Sequence, residues 1–384
     1  MKEVVLLAGT RSEAVKVAPV ALALADHPVL RPVIIHSGQR NGVVEQVLSS
    51  FGLLVDVDLD VPRATGGRDE LPARLVAEFD RMLRGRDPAV VLVPGDTTTA
   101  LAGALAAFWR GIPVAHLEAG PGTAGPFPEE GARRMIARIA TLHLAPTDDD
   151  AAALVREGLA DRRIVVTGNT VVDAVQRIAA ADLPARDADL AVLETVLDER
   201  SERLVLVTVH RRESWGKPLT RVLHAVRAIA DRHPDVRVLL PVHSDPRVRA
   251  AARALLGGHE RIVVTGPLDY SDLVRALRRS ALVLTDSGGI QEEAPTFGVP
   301  VLVLRDTTER VSAVEAGGAW LVGTDPIRII AEAGWVLGAR LRLPRGRNPF
   351  GDGRAAIRVR GALERLVGLP SDFAGASLPV RIPC

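Results

Sequence analysis

Cysteine is nearly missing from this chain. The single one, Cys384, is the final residue, so no disulfide can form within the chain and a reducing compartment is expected. Aromatic residues make up only 3%, which leaves the cores to Val, Leu, Ile and Ala and removes the stacking platforms that single-stranded nucleic acid uses. Neither sign of charge is in excess. The 48 basic and 47 acidic residues give a net charge of +1 without a long basic run, so nucleic acid is not an expected partner. No apolar run approaches the roughly 20 residues of a membrane-crossing helix. The opening MKEVVLLAGTRSEA meets Arg11 and Glu13 too soon to read as a secretory signal. A cytoplasmic protein with no membrane contact is the expectation. Three chemical signatures are also missing. There is no G-x-x-x-x-G-K-[ST] loop, and no G-x-G-x-x-G follows the first strand, so neither a P-loop nor bound NAD is indicated. His116, His143, His210 and His243 lack metal-ligand spacing, and no metal or cofactor is expected.

Short apolar runs alternating with amphipathic stretches are abundant. Strands are expected at Val4–Ala8, Val33–His36, Ala89–Val93, Val114–Leu117, Leu142–Ala145 and Ile164–Thr167, with helical stretches between them and a surface loop over 54–70. A link at Gly168–Thr170, a helix at Val171–Ala179 and a polar, Ala-rich segment follow. A second alternation then places strands at 204–209, 236–241, 261–264, 281–284 and 301–304, and residues 354–366 read as a closing helix. Repeated strand–helix alternation predicts doubly wound parallel sheets. The 384 residues suffice for two such domains, 1–168 and 169–366, facing across a cleft, with 354–384 packing back on the first.

In open α/β sheets, ligands sit at the carboxyl ends of the strands. Arg11, Asp96, Glu118 and His210 all follow strands. Taken singly, each has a plainer reading as a helix cap, a solvated carboxylate or a structural histidine; as a set they point to a site. The first half offers the carboxylates Asp96, Glu118 and Glu129 with the cations Arg11 and Lys16. The second offers His210, Arg211, Arg212, Glu293 and the turn Ser287-Gly288-Gly289, where a strand enters a helix and backbone N–H groups can meet a phosphate. Glu292 and Glu293 in that first turn would repel a phosphate, so at least one should face a neutral group such as a ribose diol. A nucleotide-diphosphate sugar, its nucleotide on the second half and its sugar toward the first, suits this distribution.

The run GTRSEAVKVAP resembles the GTRPEAIKMAP opening of the non-hydrolysing UDP-N-acetylglucosamine 2-epimerases. PGDTTTALA, HLEAG, PFPEE, VTGNTVVDA, VHRRES, PVHSDP, TDSGGIQEEAPTFGVPVLVLRDTTER, LVGTD and NPFGDG follow in that family's order. The resemblance implies two Rossmann-like domains of the glycosyltransferase B type, usually as a homodimer, and interconversion of UDP-GlcNAc and UDP-ManNAc without NAD. It implies loss of UDP from C1 and a proton from C2, giving a 2-acetamidoglucal, then re-addition. Asp96, Glu118 and Glu129 would be the acid/base candidates, with the base unassigned. His210 would stabilise the departing UDP, and Arg11, Lys16, Arg211, Ser287, Gly288, Gly289, Glu293 and Arg310 would hold the substrate.

This chain departs from the family in places. Ser12 replaces a proline, Pro121-Gly122 stand where the family has Leu-Arg, Ala132 replaces an asparagine, and GQHR becomes Gly38-Gln39-Arg40-Asn41. In bacterial members this neighbourhood helps bind an activating second UDP-GlcNAc. Gln39 and His243, which match, would be a remnant of that site. Three other functions share the pattern: a hydrolysing epimerase releasing ManNAc and UDP, a glycosyltransferase, and an inactive sugar-nucleotide sensor. The last two have no need of three carboxylates on the sugar side.

Overall fold

A computed structural model of the chain describes residues 1–38, 42–59, 61, 70–122, 126–344 and 347–371. The chain divides into two compact units. One comprises Met1–Ala174 together with everything from Phe350 onward, the other Val175–Pro349. The division thus falls after 174 instead of 168, and the helix Ala355–Leu366 goes with the first unit. Backbone amides of Ala355 and Ala356 donate to Asp173 at 3.1 and 2.8 Å, and Asn169 N donates to Phe350 O at 2.7 Å. Burial pushes the Asp173 carboxyl up, against the pull of those two amides.

The first unit holds a seven-stranded sheet: β1 (Lys2–Ala8), β2 (Leu30–His36), β3 (Val57–Asp58), β4 (Val90–Pro94), β5 (Val114–Leu117), β6 (Leu142–Ala145) and β7 (Ile164–Val166), in the order β3-β2-β1-β4-β5-β6-β7. All its pairs are parallel. The second holds a six-stranded parallel sheet: β8 (Arg203–Thr208), β9 (Val236–Pro241), β10 (Ile262–Thr265), β11 (Ser280–Thr285), β12 (Val301–Val303) and β13 (Ala319–Leu321), in the order β10-β9-β8-β11-β12-β13. The two-domain α/β expectation holds, with interleaved helices in each unit.

Helices cover both faces of a parallel sheet, so its central strands are apolar throughout. Val4 to Ala8, Val90 to Val93 and Leu282 to Leu284 are fully or almost fully buried. Phe79, Leu75 and the alanines of the helix Thr98–Trp109 pack against Val5, Leu7, Val91 and Val93 in the first unit. Leu223, Val226, Ile229 and Val336 do the same against Val205, Val207 and Leu282 in the second.

Three regions differ from the sequence reading. Segment 54–70, expected as loop, contains β3, only two residues long. The polar, Ala-rich segment contains the helix Ala188–Arg200, capped by Asp187, which accepts from Leu190 N at 3.0 Å. The second sheet continues past β12 through the helix Val311–Glu315 to β13 and the helix Pro326–Gly338. A strand of two residues, such as β3, carries too little alternation to be read. The helix Ala188–Arg200 buries only Leu190, Leu193, Glu194 and Leu197, a narrow stripe in a polar sequence. Among the described residues, no helix is long and apolar enough to cross a membrane.

Candidate active site

In each sheet the strand order reverses once: between β1 and β4, and between β8 and β11. At such a switch point the loops after the two strands diverge and leave a crevice at their carboxyl ends. The GTRSEA turn follows β1 and the PGDTTTA turn follows β4. In the second unit the HRRES turn follows β8 and the DSGG turn follows β11. The topology therefore brings the chemistry-bearing turns together in pairs, one pair per unit.

In the first unit, Gly9 is required because a Cβ there would overlap the hydroxyls of Ser37 and Thr99. Thr10 caps the helix Arg11–Leu24 by accepting from Glu13 N at 3.3 Å. Glu13 is buried, accepts from Gly9 N at 2.8 Å and from the Thr97 hydroxyl, and so ties the β1 turn to the β4 turn. Burial raises its carboxyl pKa, with the bonds from Thr97, Gly9 and Thr10 and the Lys16 charge opposing. One turn further along the helix, Lys16 reaches Glu118 in a buried ion pair. Glu118 stands just past β5 in left-handed backbone conformation, with φ at 60°, a cost that a residue without β-branching can bear where the surroundings impose it. Gly95 N donates to Leu117 O at 2.9 Å, and a Cβ on Gly95 would lie 3.5 Å from Glu118 Oε2. The turn carrying Asp96 and the carboxylate of Glu118 are therefore neighbours. His116 Nε2 bonds the Gly95 carbonyl at 2.7 Å from beneath the turn, and burial holds its pKa down to about 4.

Glu129 sits apart in character. It is exposed in the π-helical stretch Pro126–Glu130, while its neighbour Glu130 is buried against Arg133, at 2.7 and 2.9 Å.

In the second unit, the organising group is Asp286, fully buried at the end of β11. It accepts from His210 N at 3.1 Å, Arg211 N at 3.0 Å and the Ser214 hydroxyl at 2.8 Å, and His210 Nδ1 lies 3.4 Å away. The imidazole itself is half exposed. Ser287 N donates to the Thr285 hydroxyl at 2.9 Å, and the helix Gly288–Glu293 begins there. A Cβ on Gly288 would lie 3.0 Å from Glu309 Oε1, a crowded approach that glycine relieves. Arg211 bonds Glu309 at 2.9 Å and Arg305 bonds it at 2.7 Å. Burial would push the Glu309 carboxyl up, but Arg310, Arg211 and Arg305 together hold it at about 2. Arg310 pairs with buried Glu292 at 2.5 Å, and buried Glu293 accepts from the Tyr270 hydroxyl at 3.3 Å. Within the chain, Glu293 thus faces a neutral hydroxyl and Glu292 a guanidinium. Guanidinium groups held in place beside a glycine turn make an anion site that needs little reorganisation.

Gln39 lies outside the described residues. His243 packs tilted against Trp215, at 56° with ring centroids 5.4 Å apart, and Arg247 caps the same indole at 5.1 Å. Sequence reasoning passed over Glu13, Asp286 and Glu309. A Thr-x-x-Glu spacing at Thr10–Glu13 and an aspartate ending an apolar run were the available signals; nothing local marks Glu309.

The sequence model of the family described as "UDP-N-acetylglucosamine 2-epimerase" matches residues 22–364. The UDP-N-acetylglucosamine 2-epimerase of Escherichia coli (strain K12) is 40% identical over 372 residues, covering 94% of this chain and 98% of the relative. The Staphylococcus aureus MnaA–UDP co-structure superposes with a TM-score of 0.87 at 35% identity, covering 97% of this chain and all of that one. The UDP-GlcNAc 2-epimerase of Neisseria meningitidis, solved bound to UDP-GlcNAc, gives 0.84 at 34% identity, covering 94% of this chain and 99% of that one. With the family model spanning most of the chain and full-length relatives at this identity, the chain belongs to the UDP-N-acetylglucosamine 2-epimerase family.

Proposed function

We propose that the chain interconverts UDP-GlcNAc and UDP-ManNAc without hydrolysis and without a cofactor. The observation that carries this reading is the adjacency of the Asp96 turn and the Glu118 carboxylate at the switch-point edge of the first sheet, with Lys16 paired to Glu118. A sugar C2–H is a poor acid, so its removal needs a carboxylate positioned beforehand, and return of the proton to the other face needs a second group. Asp96, Glu118 and Glu129 are the candidates for those roles, Glu129 standing exposed in the π-helical stretch. The base is one of the three. Lys16 is ion-paired with Glu118, and Arg11 begins the same helix. The UDP leaving C1 would be held by His210, Arg211, the Ser287-Gly288-Gly289 turn and Arg310, with Glu293 reading the ribose. Preorganised donors of this kind stabilise the charge as it develops. The bond to UDP then re-forms as the proton returns to C2.

Incubation with UDP-GlcNAc in heavy water, followed by NMR, tests this. The expected result is UDP-ManNAc carrying deuterium at C2 with no net release of UDP. Free ManNAc and UDP would make it a hydrolase of the same intermediate, and no exchange at C2 would overturn the reading.

We further infer a homodimer. The helices Thr98–Trp109 and Gly131–Ile139 pack together and leave Phe108, Trp109 and Met135 49%, 69% and 51% exposed, an apolar surface suited to a second copy. A monomer in sedimentation at micromolar concentration would refute it.

A further inference from the structure

His36 ends β2 and is fully buried, yet neither of its ring nitrogens has a hydrogen-bond partner among the described residues. Two carboxylates from two other elements converge on its Nδ1. Asp58 Oδ1, from β3, lies 3.1 Å away, and Glu45 Oε1, from the helix Val43–Ser49, lies 3.3 Å away. One oxygen or nitrogen from each of the three residues lies within 4.8 Å of the others. A hydrogen bond would place an acceptor along the N–H axis. Here two oxygens lie within 3.3 Å of Nδ1, yet neither approach has hydrogen-bonding geometry.

Close approach without hydrogen-bonding geometry is what a shared cation would produce. Ligand atoms each about 2.1 Å from one ion are about 3.0 Å apart at right angles and about 3.4 Å apart at tetrahedral angles. The two nitrogen–oxygen distances fall between those values. We propose that His36, Glu45 and Asp58 form a binding site for a divalent first-row transition cation such as Zn²⁺ or Mn²⁺. One imidazole and two carboxylates suit these ions better than Mg²⁺ or Ca²⁺, which take all-oxygen sets. The ion would give buried Nδ1 the partner it lacks. Asp58 and Glu45 are 54% and 41% exposed at their side chains, which provides an entry path and leaves room for water on the remaining positions. The site would clamp the helix Val43–Ser49 and β3 to the end of β2.

The test is calorimetry on the full chain, stripped with a chelator and dialysed, titrated separately with Zn²⁺, Mn²⁺ and Mg²⁺. One Zn²⁺ or Mn²⁺ per chain is expected, with Mg²⁺ much weaker, and a thermal midpoint that rises with the ion. Asp58→Asn and Glu45→Gln should each weaken uptake at least about tenfold while leaving the circular dichroism of the metal-free chain unchanged. His36→Gln should abolish uptake; because that position is buried, the two carboxylate variants decide the matter if it does not fold. No uptake by the wild type, or equal uptake by both carboxylate variants, would reduce the cluster to an ion pair and overturn the proposal.

Discussion

The two switch-point edges are built on opposite plans. At the first, side-chain carboxylates stand forward, with Glu118 pinned by a buried lysine and Glu13 bracing the turns from behind. At the second, a buried carboxylate stays behind, and Asp286 gathers the backbone of His210 and Arg211. One edge is arranged around groups that can exchange a proton, the other around positive charge held at fixed positions. Under the proposed function the same fold, used twice, separates chemistry from the holding of the leaving group. Differences in what the turns carry, with the sheets alike, account for the separation.

Substitutions that spare one edge and cripple the other test this comparison most severely. Asp96→Asn or Glu118→Gln should lower turnover by about a hundredfold or more while leaving UDP affinity within about threefold, as loss of general acid–base catalysis predicts. Near-normal turnover in both would remove the first edge from the chemistry. The second edge should respond in affinity. Asp286→Asn weakens charged bonds of roughly 1.5–3 kcal/mol each and should cost about tenfold or more in UDP binding. His210→Ala and Ser287→Ala should follow in the same direction, and calorimetry showing unchanged affinity in all three would move the nucleotide elsewhere.

The first unit should also be the more acid-sensitive one. Burial holds His116 down to about 4 and His143, its neighbour at a 6.4 Å ring distance, to about 3, against an ordinary value of 6.5. Both rings are neutral in the fold, while the unfolded chain takes up protons as pH falls below 6.5. Their contribution is therefore complete above that pH and is lost as pH drops toward the folded values. The loss is at most about 1.4 kcal/mol per pH unit for each ring. His143→Leu should flatten the urea-midpoint profile between pH 6.5 and 5; a profile as steep as the wild type's would show that the ring is not neutral in the fold.

The smallest expected effect concerns regulation. Pro121 and Gly122 offer no charge or side-chain donor, and Ala132 is buried without an amide. Saturation by UDP-GlcNAc should accordingly be hyperbolic, and UDP-ManNAc supplied alone should react without a lag. A sigmoidal curve would show that His243, packed against Trp215, still serves a second nucleotide site.

The order of strands and the turns that follow them were legible because they depend on local signals. Apolar runs such as Val90–Val93 and glycine-marked turns after them carry their own meaning, and Asp96, Glu118, His210 and Ser287 could be placed at strand ends from spacing alone. Partnerships were not legible. Glu13 with Thr97, Asp286 with His210, Glu309 with Arg211, and His36 with Glu45 and Asp58 join residues whose separation along the chain bears no relation to their separation in space. Even the closing helix followed this division, because its place on the first unit depends on two amides meeting Asp173 nearly two hundred residues earlier. Backbone preference and hydrophobic alternation act over a few residues, and so the sequence by itself determined the elements and the positions of the reactive turns. Which charge meets which, and which histidine stays neutral, depends on desolvation and distance across the sheet, and only the tertiary structure decided that.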